Sequence, residues 1–156
     1  MKLDREHKAQ KMGEHIPGFA GYHAVHHFET DLLLRRYLAS KLGEVRDRLA
    51  DFIATGSHPQ ELREKLACSL KAIALLMAEV STTGAEVTAG TGLSPVDEER
   101  LLDFDLVLLD KVAALRSQLD LLEAASGQEA IAAALELLAA GLAEVDEIFQ
   151  ARRRLF

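Results

Sequence analysis

The stretch "GYHAVHHFETD" (residues 21–31) concentrates the side chains best suited to metal chemistry. His23, His27 and Asp31 are spaced i, i+4, i+8, so a helix would place them on one face. Imidazole and carboxylate together suit zinc or iron, which need three or more ligands in fixed geometry. Positions i and i+8 lie about 12 Å apart along a helix axis, so at most two of the three can reach one ion. A second helix must supply the rest. Di-iron bundles do this with Glu-x-x-His pairs, and no Glu-x-x-His occurs in the chain. Carboxylates of Asp103, Asp105 or Asp110 are the available complement. The competing reading is a histidine-rich helix start with Val25 and Phe28 turned to the core. A contact sensitive to histidine protonation is a further reading.

Other constellations are less complete. Cys68 has no histidine on its own helix to serve as base, which favours a small buried residue over a nucleophile. The glycine-rich "TAGTGLS" (88–94) leads into a helix start but lacks the lysine and preceding strand of a phosphate loop. Helix three carries an acidic face, including Asp97, Glu98, Glu99 and Asp103. The chain's own basic leader (Lys2, Arg5, Lys8, Lys11) or its terminal arginines could meet that face, within or between subunits. Asp105 and Asp110 sit among leucines and require pairing if buried. The terminal "RRRLF" combines Arg152, Arg153 and Arg154 with the apolar Phe156, a combination that can touch a partner groove or an anionic surface.

Bulk properties narrow the class. A chain of 156 residues suits one domain. Its net charge of -7 opposes a nucleic-acid role, which needs a basic surface. The single cysteine allows no internal disulfide, consistent with a reducing cytoplasm. The charged N-terminus lacks an apolar signal core, and no apolar run reaches the roughly 20 residues of a membrane span. These features predict a cytoplasmic protein.

Turn residues divide the chain into a leader and arm (1–22) and a helical domain (23–156). Within the leader, residues 2–12 can form a short basic helix. "GEHIPGFAGY" then reads as an ordered arm whose Ile16, Phe19 and Tyr22 are apolar enough to dock. Four long helices are predicted over about 23–54, 58–82, 95–125 and 127–154. Leu38, Leu42, Val45, Leu49 and Phe52 step by fours and threes in the first, and Gly56 ends it. Ser57 or His58 would cap the second. Ser94 and Pro95 open the third, and Ser126 with Glu129 forms a capping box for the fourth. Leu102, Leu106 and Leu109 widen the apolar face of helix three, enough to bury against two neighbours or a partner chain. In helix four, Ala134 and Gly141 permit close approach. A glycine-rich connection covers 84–93. The expected fold is all-α: an elongated, mostly antiparallel four-helix bundle with an N-terminal arm.

The elements "IPGFAGY" and "ETDLLLRRYLASKLGEVRDRL" (residues 16–49) resemble a group of uncharacterised bacterial helical proteins. Those open with an Ile-Pro-Gly-aromatic-x-Gly-Tyr element before a long helix with an Asp-x-Leu-Leu-Arg core. Ile16, Pro17, Gly18, Phe19, Gly21, Tyr22, Asp31, Leu33, Leu34 and Arg35 carry the match. Where this chain has His23, His26 and His27, the group has Lys, Glu and Arg. The resemblance implies a bacterial helical protein and no particular activity.

No catalytic constellation and no resident cofactor emerge. The leading expectation is a non-enzymatic interaction or scaffold protein that self-associates as a homo-oligomer. Its contacts would run through Ile16, Phe19, Tyr22, Arg152, Arg153, Arg154 and Phe156. The alternative is a zinc- or iron-binding bundle using His23, His27 and Asp31. A third idea is an apolar small-molecule site between alanine-rich helices.

Overall fold

The computed structural model describes residues 2–22, 27–81 and 94–155. The described residues form five helices and no strands: α1 (Lys2–His15), α2 (His27–Thr55), α3 (Gln60–Ser81), α4 (Pro95–Ala124) and α5 (Gln128–Arg153). No described helix is long and apolar enough to cross a membrane. The 84–93 connection lies outside the described residues.

The helices form where the apolar stripes require them. Leu34, Leu38, Leu42, Val45 and Leu49 of α2 are fully buried, as are Leu108, Leu115, Leu119 and Leu122 of α4. Each fully buried leucine contributes about 1.5–3 kcal/mol relative to an exposed one, and that burial holds the helices together. Among the four long helices, α2 packs on α3, α3 on α5, α5 on α4, and α4 on α2, closing a cycle. α1 packs on α4 alone among the helices. The wide face of α4 is thus met by three helices of its own chain, so its width needs no second subunit.

Local signals decide the ends. Ser94 Oγ accepts the Asp97 N–H at 3.2 Å and Pro95 occupies the first turn, as the sequence predicts. The expected Ser126–Glu129 box is not used. Gly127, at φ 91°, is the N-cap of α5, and its backbone carbonyl accepts from Ile131 without a side-chain cap. Neither Ser57 nor His58 opens α3, which begins one residue after Pro59; His58 instead stacks on Phe52 at 5.1 Å. Gly56 does not take the left-handed conformation of a helix-ending glycine. Gly141 does permit close approach, since a Cβ there would lie 2.8 Å from Leu115 and closer still to Gln118 of α4.

The arm follows α1 directly. Met12 and Ile16 carbonyls accept from Ile16 and Phe19, and Gly18 and Gly21 both adopt φ 88°, which turns the chain back toward α4. Ile16, Phe19 and Tyr22 are buried in the common core with Met12, and the Phe19 and Tyr22 rings meet edge to face at 5.7 Å. The arm's docking partner is therefore the protein itself. Ion pairs fasten α1 to the acidic start of α4. Arg5 Nε lies 3.0 Å from Glu98, and Lys8 Nζ lies 3.1 Å from Glu99 and 2.8 Å from Asp103. The basic leader meets the acidic face within one chain.

Candidate functional site

Two regions hold unusual chemistry. The first is a buried ionic cluster where the arm meets the long helices. Asp31 and Arg35 lie one turn apart on α2, and Arg35 Nε donates to Asp31 Oδ2 at 2.8 Å. Arg35 also reaches the Val80 carbonyl of α3 at 3.4 Å. Arg152, in the last turn of α5, donates from Nε to Asp105 Oδ1 at 2.6 Å and from Nη2 to the Tyr22 hydroxyl at 2.8 Å. Its Nη2 lies 2.6 Å from Asp31 Oδ1, off the hydrogen-bonding direction, so this contact acts as charge pairing. The Tyr22 hydroxyl donates to Asp105 Oδ2. Phe149 receives both guanidiniums on its ring, Arg35 at 5.1 Å and Arg152 at 6.0 Å.

Tyr22, Asp31, Arg35, Asp105 and Arg152 are each at most 2% exposed. Two carboxylates against two guanidiniums balance the buried charge, the condition under which such groups are tolerated. Burial pushes the Asp105 carboxyl up to about 6, against the opposing pull of Arg152 and Tyr22. Burial likewise raises the Tyr22 phenol, which keeps it a proton donor. Burial disfavours the Arg152 charge, but Asp105, Tyr22 and Asp31 outweigh it and hold the proton above the ordinary range. An acid, a base and a phenol in contact can in principle move protons. With at most 2% exposure, these side chains contact one another and the core, not the surface. Nearby, the buried Glu98 accepts the Tyr22 backbone N–H at 2.7 Å, a second tie between arm and α4.

The second region is a groove along the outer side of α3 and α5. It has two lobes, of about 470 and 420 Å³, which share Cys68, Ser69 and Ala139. Small residues form much of the floor, among them Ala72, Ala132 and Ala143. Leu75 borders it and is 62% exposed. Cys68 is exposed here, correcting the expectation that it is buried. It projects into the shallow groove between the two helices and not into the core. A third cavity, about 740 Å³, lies between α1, the arm and α4, with Arg5, Phe19 and Glu98 in its wall.

The site residues expected from the sequence separate between these regions. Ile16, Phe19, Tyr22 and Arg152 are buried within the chain, so they present no outer contact surface. Arg153 pairs with Glu79 of α3 at 3.0 Å, and Arg154 is exposed. Phe156, His23 and the side chain of His27 lie outside the described part of the structure. Asp31 turns its two oxygens to two guanidiniums, so binding a metal would require it to leave them. No group of three or more metal-ligating side chains occurs among the described residues. Phe28 is 45% exposed and does not face the core, correcting that expectation. Asp105 is buried and paired as its leucine-rich setting demands, whereas Asp110 is exposed.

Sequence reasoning placed Glu98 on the face that meets the leader but missed its bond to the Tyr22 backbone, the buried pairing of Arg35 and the polar role of Tyr22. Arg35 carried a signal, since it follows Asp31 by one helical turn. The others depend on contacts across the whole chain, which no local pattern reports. No protein-family model matches the chain, and no curated protein and no solved structure shows significant similarity to it.

Proposed function

We propose that this protein is a non-enzymatic interaction module: an antiparallel four-helix bundle, closed on one side by its own arm and α1, that docks a partner along α3 and α5. The observation that carries this reading is the apolar α3–α5 groove with Leu75 exposed at its edge. An apolar surface left open beside a well-covered core marks a place for a partner. The closed cycle of helix contacts and the short 56–59 and 125–127 connections support the bundle architecture. The buried cluster supports a scaffold role, because paired charges inside a core specify one arrangement of the elements that carry them.

The test compares pull-downs with three baits: the wild-type chain, Ala139→Phe, which fills the groove floor, and Asp47→Ala on the exposed side of α2. Quantitative mass spectrometry should find a set of proteins retained by wild type and Asp47→Ala and depleted by Ala139→Phe. Identical sets on all three baits would remove the groove from the account.

A further inference from the structure

We infer that the α3–α5 groove takes a basic amphipathic helix of a partner protein. This rests on the docking role proposed for the groove and adds the chemistry of the occupant. The rim is acidic: Glu61 and Glu64 on α3, Glu136 and Asp146 on α5, with Lys65 the one cation among the described lining residues. Glu79 at one end is already engaged by Arg153 and Gln150, and Glu61 pairs with Lys65 at 3.9 Å. Glu64, Glu136 and Asp146 carry the remaining negative charge, with the neutral Gln60 and Gln150 amides donating to Glu64 and Asp146. The floor between these carboxylates is small and apolar, so it accepts large aliphatic side chains while the rim meets the flanking charges.

The shape favours a helix. From Glu61 to Glu79 the groove follows about 27 Å of α3 axis, five turns of a docked helix. A third helix laid against a helix pair packs ridges into such a groove. The molecule shows the same charge pattern on a single helix, because α1 lies on α4 with Arg5 and Lys8 set against Glu98, Glu99 and Asp103. A second copy is a poor occupant. In an isologous pairing the same patch faces itself, which would set the Glu64 and Glu136 rims against each other.

Fluorescence anisotropy with the intact protein tests this. The probe is an 18-residue synthetic helix with leucines at i, i+3, i+4 and i+7 and lysines on both flanks. Its counterpart carries glutamates in place of the lysines. The lysine probe should bind at least about tenfold tighter, the scale expected when several exposed ion pairs act together. That preference should shrink as salt rises, as screening shortens the reach of rim charges. Glu64→Lys/Glu136→Lys should weaken the lysine probe by about tenfold or more, on the same pairing scale. Asp47→Lys/Asp51→Lys, an equal charge change on α2, should leave it nearly unchanged. Equal losses in both double variants would mean general attraction to an acidic protein and would overturn the inference. Equal binding of both probes, abolished by Ala139→Phe, would keep the docking groove and reject the basic partner. Binding of neither probe would reject both. A dimer of the free protein that Ala139→Phe dissociates would make a second copy the occupant and overturn the inference.

Discussion

The α1–arm–α4 side and the α3–α5 side invert the usual placement of polar and apolar groups, in opposite senses. On the first, two aspartates, two arginines and a tyrosine are shut inside, and the large apolar residues of the arm, Ile16, Phe19 and Tyr22, are covered. On the second, Leu75 and a floor of small residues face outward between glutamates. The contrast separates structure from function. Where charge is buried, partners within the chain neutralise it and the region is closed. Where apolar surface is exposed, none of the described residues covers it, and this is the face proposed for a partner.

Substitutions should rank by which side they touch. The largest effect should come from Arg152→Met, which leaves Asp105 buried without its cation and removes one of the two guanidiniums that face Asp31. Urea unfolding should show a loss of about 3–5 kcal/mol, the cost of breaking a buried pair from one end. Arg154→Ala, two residues on and exposed, should stay within about 0.5 kcal/mol. A small effect of Arg152→Met would mean that the cluster does not hold the closed side.

Asp105 adds a pH dependence with a definite sign. Its folded value of about 6 lies above the ordinary 3.8. A raised carboxyl value contributes stability that is complete below about pH 4 and is lost as pH rises through about 6. The difference in unfolding free energy between wild type and Asp105→Asn should therefore fall across that window and flatten above it. Its total change should be about 3 kcal/mol at most. A difference that is flat, or that rises with pH, would show that Arg152 outweighs burial at this carboxylate.

Tyr22→Phe keeps the ring on the core and removes only the hydroxyl that donates to Asp105 and accepts from Arg152. It should cost about 1–3 kcal/mol, because two buried groups lose a partner. The smallest effect belongs to the open side: Leu75→Ser should shift stability by no more than about 0.5 kcal/mol while weakening partner capture. If Leu75→Ser destabilised the fold as much as Tyr22→Phe, the two regions would not differ as described.

Much of the helical frame was legible. The steps of four and three in Leu38, Leu42, Val45 and Leu49 report burial on one face, and that face is buried. Ser94 and Pro95 located the start of α4 because capping is a local interaction. Asp105 could be singled out since a charge among leucines demands a partner. The identity of that partner was not legible, because Tyr22, Asp105 and Arg152 converge from the arm, α4 and the end of α5. Tyr22 looked like an apolar anchor, but its hydroxyl also joins Asp105 and Arg152. Cys68 and Phe28 were misplaced for one reason: composition suggests a core preference but does not say which side of a helix lacks a neighbour. The open groove is likewise a property of where α3 and α5 stand together, and neither helix signals it alone.

The most direct test of the open face is a photo-crosslinking amino acid introduced at Ala139, with the same group at Asp47 as the reference, in the cells that make the protein. The account predicts a discrete protein adduct from the groove position and none from the reference. Equal adducts from both positions, or no adduct from Ala139, would contradict it.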